Sequence, residues 1–108
     1  MPYTLAFPIQ LPVTGIIINA ANIETPLEFE VHDVTGSLQA LVSGTYTVEI
    51  RDQAGALVAT LNWTAAGRQR VTVDPLHRIP DSGALRFDVT GVGVGAVGPY
   101  VTVWARAG

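Results

Sequence analysis

Residues 81–104 read Asp81-Ser-Gly-Ala-Leu-Arg-Phe-Asp-Val-Thr-Gly-Val-Gly-Val-Gly-Ala-Val-Gly-Pro-Tyr-Val-Thr-Val-Trp104. Leu85, Phe87 and Val89 alternate with polar residues, which is the period-two pattern of a half-buried strand. Four glycines then allow the backbone to reverse before a second apolar strand begins near Tyr100. This stretch predicts two β-strands joined by a glycine-rich connector, paired as the closing hairpin of an all-β fold.

The final strand is apolar on both faces. Val101, Val103 and Ala105 lie on one face, whereas Tyr100 and Trp104 lie on the other. Such a strand needs cover on both sides, because large apolar groups are unfavourable in water. A second sheet of the same domain would cover one face. For Trp104 the sequence leaves two interpretations open, the core of the domain and an interface with a partner chain.

Other short alternating segments precede this stretch, and turn residues separate them. Residues 27–34 alternate clearly, and their predicted inward side is Leu27, Phe29 and Val31. Residues 45–51 also alternate, with Tyr46, Val48 and Ile50 predicted as inward, and a turn at residues 52–55 follows. Residues 34–37 are predicted as a turn and residues 75–83 as a loop. Strands at a spacing of about ten residues are typical of an antiparallel sandwich or barrel. We therefore predict a single antiparallel β-sandwich over residues 15–108, either jelly-roll-like or Ig-like.

Residues 1–14 differ from the rest of the chain. Three prolines forbid a helix and disfavour a central strand. The apolar residues nevertheless fall on alternate positions, which predicts an extended N-terminal arm with one apolar edge. The arm is either an edge strand packed on its own domain or a segment that crosses to a neighbouring subunit, and the sequence favours neither.

The composition limits the function of the chain. Only 14% of the 108 residues are charged, against about 25% in an average soluble domain. Part of the surface must therefore be uncharged, which favours cover by another protein.

A net charge of −3 argues against general nucleic-acid binding, and the absence of cysteine excludes disulfides and thiolate metal sites. No apolar run reaches the length of about 20 residues that a membrane helix needs, so no membrane partner is predicted.

A search for chemical motifs finds no active site. His32 and His77 are distant in sequence, and the carboxylates are dispersed among turns and strands. No Gly-x-Ser-x-Gly motif occurs, and the glycines of residues 91–98 lack the lysine and hydroxyl of a phosphate-binding loop. We therefore predict no enzymatic activity, no catalytic residue, no cofactor and no metal.

The segment Leu85-Arg-Phe-Asp-Val-Thr-Gly-Val-Gly93, with the later Val101-Thr-Val103, resembles the closing hairpin of small β-sandwich modules in virion proteins of tailed phages. These modules occur in tail fibres, head fibres and capsid decoration proteins. A weaker similarity runs through Gly44-Thr-Tyr-Thr-Val-Glu-Ile-Arg-Asp52. The family pattern has Gly-Leu where this chain has Pro99-Tyr100.

The resemblance implies a structural virion protein, assembled in the host cytoplasm. The first interpretation is a capsid decoration or cement protein, a homo-oligomer that binds the major capsid protein or other virion subunits. The alternative is a tail- or head-fibre module that binds a host receptor or glycan through exposed aromatic residues, for which Tyr46 and Trp63 are the candidates. For the first interpretation, the predicted partner contacts are Tyr3, Leu5, Phe7, Ile9, Leu11, Tyr100 and Trp104.

Overall fold

The computed structural model describes residues 3–24 and 27–107, apart from the side chain of Tyr3. These residues form eight β-strands: β1 (Tyr3–Gln10), β2 (Ile17–Glu24), β3 (Phe29–Leu38), β4 (Ser43–Asp52), β5 (Leu57–Trp63), β6 (Gly67–Ile79), β7 (Ala84–Val94) and β8 (Tyr100–Ala107). The described part of the chain contains no helix, and hence none that could cross a membrane. The all-β prediction is confirmed.

The strands form two antiparallel four-stranded sheets. One sheet has the order β1-β8-β3-β6, and the other has the order β2-β7-β4-β5. Only β4 and β5 are neighbours both in sequence and in a sheet, and every other connection joins strands that are not paired with each other. This double Greek-key order is that of a jelly roll, which selects one of the two predicted sandwich topologies.

The closing hairpin predicted from residues 81–104 is wrong. β7 pairs with β2 and β4, whereas β8 pairs with β1 and β3 in the other sheet. The glycine-rich connector therefore crosses between the sheets. Alternation shows which side chains of a strand face inward, but it carries no information about which strand lies beside it.

Two further predictions are corrected by long-range packing. Residues 34–37 are not a turn, because β3 continues through Gly36, which leaves room for Trp63 from the opposite sheet. Residues 75–83 are not wholly a loop, because β6 extends through Pro75 to Ile79. β6 lies at the edge of its sheet, where a proline is tolerated because one side of the strand has no ladder to complete.

The core lies between the two sheets and follows the predicted alternation. Tyr46, Val48 and Ile50 of β4 are fully buried. Inward residues of neighbouring strands pack against them, including Phe29, Val31, Val34, Leu61, Trp63, Leu85, Phe87, Val89, Val101, Val103 and Ala105. Leu27, which the alternation also predicted as inward, is exposed ahead of β3.

The N-terminal segment lies along its own sheet in this structure. β1 is the edge strand beside β8, with a continuous register from Tyr3 opposite Ala107 to Gln10 opposite Tyr100. Its exposed edge carries Pro8 near the middle, and a proline lacks the N–H that a further strand would need. A contact of this segment with a neighbouring subunit stays a prediction.

Candidate interaction surfaces

Three loops meet at one end of the sandwich, namely residues 11–16, 39–42 and 95–99. The Leu11 amide donates to the carbonyl of Pro99 at 3.0 Å, and the Val42 amide donates to the carbonyl of Val94 at 2.8 Å. Exposed apolar side chains lie on these loops and at the adjoining end of β7: Val13, Ile16, Val42, Val94 and Val97. We call this set the apolar end.

Val42 remains exposed although a neighbouring loop packs closely against it. Gly95 has φ of +70°, and a Cβ atom at this position would lie 2.5 Å from Cγ2 of Val42. Only glycine combines this backbone conformation with such a close approach. The loop before β8 therefore occupies the space beneath Val42, whose side chain remains 79% exposed. An apolar side chain held in this way favours burial against another molecule.

A polar trough lies on the outer face of the β1-β8-β3-β6 sheet. Its floor consists of the small residues Thr35, Ser37 and Thr102. Larger side chains stand on either side of this floor, with Tyr100 and Trp104 on β8 and Arg68 and Arg70 on β6. We call these seven residues the trough.

Strand register explains the shape of the trough. Ser37 lies between Tyr100 and Arg68, and Thr35 lies between Thr102 and Arg70. Two pockets of about 380 Å³ and 240 Å³ adjoin here and share Thr35. Ser37 and Thr35 on the central strand, together with Thr102 on β8, are small, whereas the other outward residues beside them are large, and this difference leaves the depression.

Trp104 is fixed in orientation on the trough wall. Its Nε1 atom donates a hydrogen bond of 2.9 Å to Oγ1 of Thr35, and the side chain is half-buried. The polar edge of the indole is thereby satisfied within the protein, as an indole N–H usually is when it is partly buried. The sheet face thus presents an aromatic surface whose rotation is restricted.

Asp33 organises the charged groups beside Trp104. Its carboxylate accepts two hydrogen bonds of 3.1 Å from Nε and Nη2 of Arg70, and Nδ1 of His32 lies 2.9 Å from Oδ2. Thr72 donates a longer bond of 3.3 Å. The bonds from Arg70, and secondarily from His32, hold the pKa of Asp33 below its usual range although partial burial opposes this. The Asp33 charge is therefore balanced by Arg70.

The second histidine, His77, binds the aspartate of the β4–β5 turn, at the end of the sandwich away from the apolar end. His77 Nε2 lies 2.9 Å from Oδ2 of Asp52, while the amides of Ala54 and Ala56 each donate to Oδ1 at 2.9 Å. Burial opposes ionisation of Asp52, but these hydrogen bonds outweigh it and lower the pKa of the carboxyl. Asp52 thereby shapes the β4–β5 turn, where the sequence predicted a hairpin.

The outer face of the other sheet carries a closed ion-pair cluster. Asp88 is almost fully buried and accepts hydrogen bonds from Nη2 of Arg86 at 3.0 Å and from the Asn19 amide at 2.8 Å. Arg51 lies 3.7 Å from the same carboxylate and also binds Glu49. The carboxylates of this cluster are therefore bound by arginine side chains and a backbone amide of the protein itself.

Within residues 3–24 and 27–107, no group of three or more potential metal ligands occurs.

The predicted partner contacts have different surroundings in the structure. Leu5, Phe7 and Ile9 are half-buried against the core of their own sandwich, and Leu11 is buried. The ring centroid of Phe7 lies 5.1 Å from that of Phe29. The side chain of Tyr3 lies outside the described part of the chain. Tyr100 and Trp104 both line the trough, and Tyr100 is 44% exposed.

The aromatic residues considered for receptor binding are not on the surface. Tyr46 and Trp63 are buried, with ring centroids 6.0 Å apart. The Tyr46 hydroxyl donates to the carbonyl of Pro12 at 2.7 Å, and Trp63 Nε1 donates to the carbonyl of Gly67 at 3.0 Å. Both are therefore core residues, as the alternation of β4 predicted for Tyr46 and the size of its side chain predicted for Trp63, and the alternative role as exposed aromatic contacts was wrong.

Sequence reasoning missed the apolar end. It did group Arg68, Arg70 and Arg78 as a basic rim near one end of the sandwich, either solvated or a docking patch for an acidic partner, but it did not place this rim opposite the aromatic residues of β8. Val42 belongs to residues 38–42, for which periodicity does not decide between a short strand and a loop, and Val94 lies among glycines interpreted only as a connector. The one local signal was an apolar residue beside turn residues at each position. Their assembly into one surface depends on which loops meet, and a local pattern does not carry that information.

No protein-family model matches the chain, and no curated protein matches it closely. Among solved structures, it is similar to a chain of the disulfide-linked pili of Bacillus endospore appendages, with 13% identity, coverage of 99% of this chain and 86% of that chain, and a TM-score of 0.43. It is also similar to the infectious bursal disease virus VP2 subviral particle, with 17% identity, coverage of 99% of this chain and 32% of that chain, and a TM-score of 0.38.

A third similar structure is the arabinose-bound MgGH51 α-L-arabinofuranosidase, with 12% identity, coverage of 94% of this chain and 19% of that chain, and a TM-score of 0.37. The chain thus spans about a third of the viral chain and about a fifth of the arabinofuranosidase chain. The similar chains include a pilus protein, a viral particle protein and an enzyme. At these levels of identity and TM-score, they do not assign a function.

Proposed function

We propose that this chain is a structural virion protein that decorates or cements a tailed-phage head by binding capsid subunits as a homo-oligomer. The observation that carries the proposal is the apolar end, where several exposed valine and isoleucine side chains come from loops that are bonded together. Burying such side chains at a joint between subunits stabilises the assembly, at about 25 cal/mol per Å² of apolar area before the cost of association is subtracted.

Composition and sequence resemblance agree with this proposal. A charged fraction of 14% leaves much of the surface neutral, which suits a protein that is covered after assembly. The similarity of residues 85–93 to tailed-phage modules supplies the virion context. Since Leu5, Phe7 and Ile9 pack on their own core, we assign the capsid contact to the apolar end rather than to these side chains.

The test is cosedimentation of the purified chain with empty capsids, together with light scattering of the protein alone. We expect an oligomer that pellets with capsids. Val42→Asp and Val94→Asp place a charge in the joint and should abolish pelleting. Leu57→Asp is the matched control, because Leu57 is exposed at the opposite end of the sandwich. A monomer that does not pellet, or pelleting that survives both substitutions, would contradict the proposal.

A further inference from the structure

The trough has the chemical character of a ligand site, and the function proposed above does not use it. One wall is aromatic, the floor carries hydroxyl groups and the other wall carries guanidinium groups. These aromatic, hydroxyl and guanidinium side chains lie together on one outward face of the sheet, where they do not fill the core. The aromatic side chains are neither buried between the sheets nor part of the apolar end, since they point away from the core on β8.

The dimensions of the trough suit an extended ligand. Tyr100 and Trp104 are four residues apart on one strand and point to the same face, which separates their Cα atoms by about 13 Å. The adjoining pockets lie along this length and share Thr35. A chain of several units would therefore occupy the trough better than a single small molecule.

The hydroxyl floor and the aromatic wall match the chemistry of a sugar. A sugar ring has C–H groups on its faces and hydroxyls around its edge, so it can stack on an aromatic surface while its hydroxyls form hydrogen bonds. Thr102 and Ser37 provide hydroxyl donors and acceptors in the larger pocket. Trp104 offers its ring without needing a new partner for Nε1, because Thr35 already accepts that bond.

The arginine wall adds a preference for acidic groups. Arg70 is bound to Asp33 through its Nε and Nη2 atoms. Arg68 is exposed, and no carboxylate of the described residues lies within ion-pair distance of it. A guanidinium binds a carboxylate through two parallel hydrogen bonds. Arg68 is thus available to hold a carboxylate that enters the pocket beside Tyr100.

We propose that the trough binds an oligosaccharide that carries carboxylate groups, with Trp104 and Tyr100 stacking on the sugar rings and Arg68 binding a carboxylate. The inference does not depend on capsid binding. Single-stranded nucleic acid is less suited to this face, because the net charge of −3 repels a polyanion with a charge on every unit.

The experiment is a screen of the full chain against an array of short oligosaccharides that contain uronic or sialic acid, together with their neutral counterparts. A single-stranded oligodeoxynucleotide and a glutamate-rich peptide serve as polyanions without sugar rings of that kind. We expect binding to at least one acidic oligosaccharide, weaker binding to its neutral counterpart, and no comparable binding to the two polyanions. Raising the salt concentration should weaken this binding.

Point variants then locate the site. Arg68→Ala and Tyr100→Ala should each raise the Kd by about tenfold to a hundredfold. Both side chains are exposed, and thermal melting verifies that these variants still fold. Arg78→Ala is the matched control, because it removes an exposed guanidinium from the same strand outside the trough. It should leave the Kd unchanged.

Three results would overturn the proposal: no acidic oligosaccharide bound, equal binding of the non-carbohydrate polyanions, or binding unaffected by Arg68→Ala and by Tyr100→Ala. Its failure is distinguishable from failure of the capsid proposal. A chain that pellets with capsids but binds no glycan removes the trough proposal alone, and a chain with the reverse behaviour removes the capsid proposal alone.

Discussion

Trp63 packs directly onto the backbone of Gly36, so that a Cβ atom at position 36 would lie 2.7 Å from Cη2 of the indole. Gly36 belongs to β3 and Trp63 to β5, so the contact joins the two sheets across the core. The Nε1 atom of Trp63 is fixed by its bond to the carbonyl of Gly67. The largest side chain of the core is thus held where a glycine on the opposite sheet leaves room for it.

Gly36→Ala should destabilise the protein, because the added methyl group overlaps the buried ring and neither sheet can yield easily. Overpacking of this kind costs about 1–3 kcal/mol. The free energy of unfolding, measured by urea titration, checks this. Gly15→Ala is the matched control, since a Cβ atom at position 15 has no neighbour within 4 Å. Equal stability of the two variants would show that the sheets can move apart at Trp63.

Tyr46 should make the stability of the protein depend on pH in the alkaline range. Burial raises the pKa of its phenol to about 12, whereas the pKa of a tyrosine in an unfolded chain is about 10. The unfolded chain therefore loses this proton first. The contribution is complete below about pH 10 and is lost as the pH rises through about 12, by up to about 3 kcal/mol.

Tyr46→Phe tests this dependence. At pH 7 the variant should lose about 1 kcal/mol, because the carbonyl of Pro12 no longer receives its hydrogen bond. Between about pH 10 and 12 its stability should fall less steeply than that of the parent. Tyr100→Phe, at an exposed position, should keep the parent slope. If both variants follow the parent profile, another group governs the alkaline transition.

Removal of residues 1–14 distinguishes the two interpretations of the N-terminal segment. As the edge strand seen here, β1 covers β8 and places Leu5, Phe7, Ile9 and Leu11 against the core. We therefore expect the shortened chain to melt at a much lower temperature or to fail to fold. An arm that serves a neighbouring subunit would instead leave a stable domain.

Single substitutions in β1 give the same test where the deletion fails to fold. Phe7→Ala removes the ring that contacts Phe29 and should cost about 2 kcal/mol, less than a fully buried phenylalanine, as measured by urea unfolding. Thr4→Ala alters an exposed residue of the same strand and should have little effect. Unchanged stability of Phe7→Ala would favour the arm interpretation.

The amino-acid sequence by itself determined the type of fold and the inward face of several strands. Tyr46, Val48 and Ile50 were predicted as inward and are buried, and Leu85, Phe87 and Val89 behave in the same way. Alternation is a local property, because successive side chains of any strand point to opposite faces. The hairpin turn at residues 52–55 was likewise predictable, because its residues bond to one another.

Only the tertiary structure decided which strands are neighbours and which surfaces result. Gly36 lies in a strand against Trp63 of the other sheet, and Val42 remains exposed while Gly95 packs closely against it. Arg68 and Tyr100 flank one trough because each is paired with Ser37. These relationships join residues far apart in sequence. Their energies depend on packing between strands, and the periodicity of a single strand is the same whichever neighbour it has.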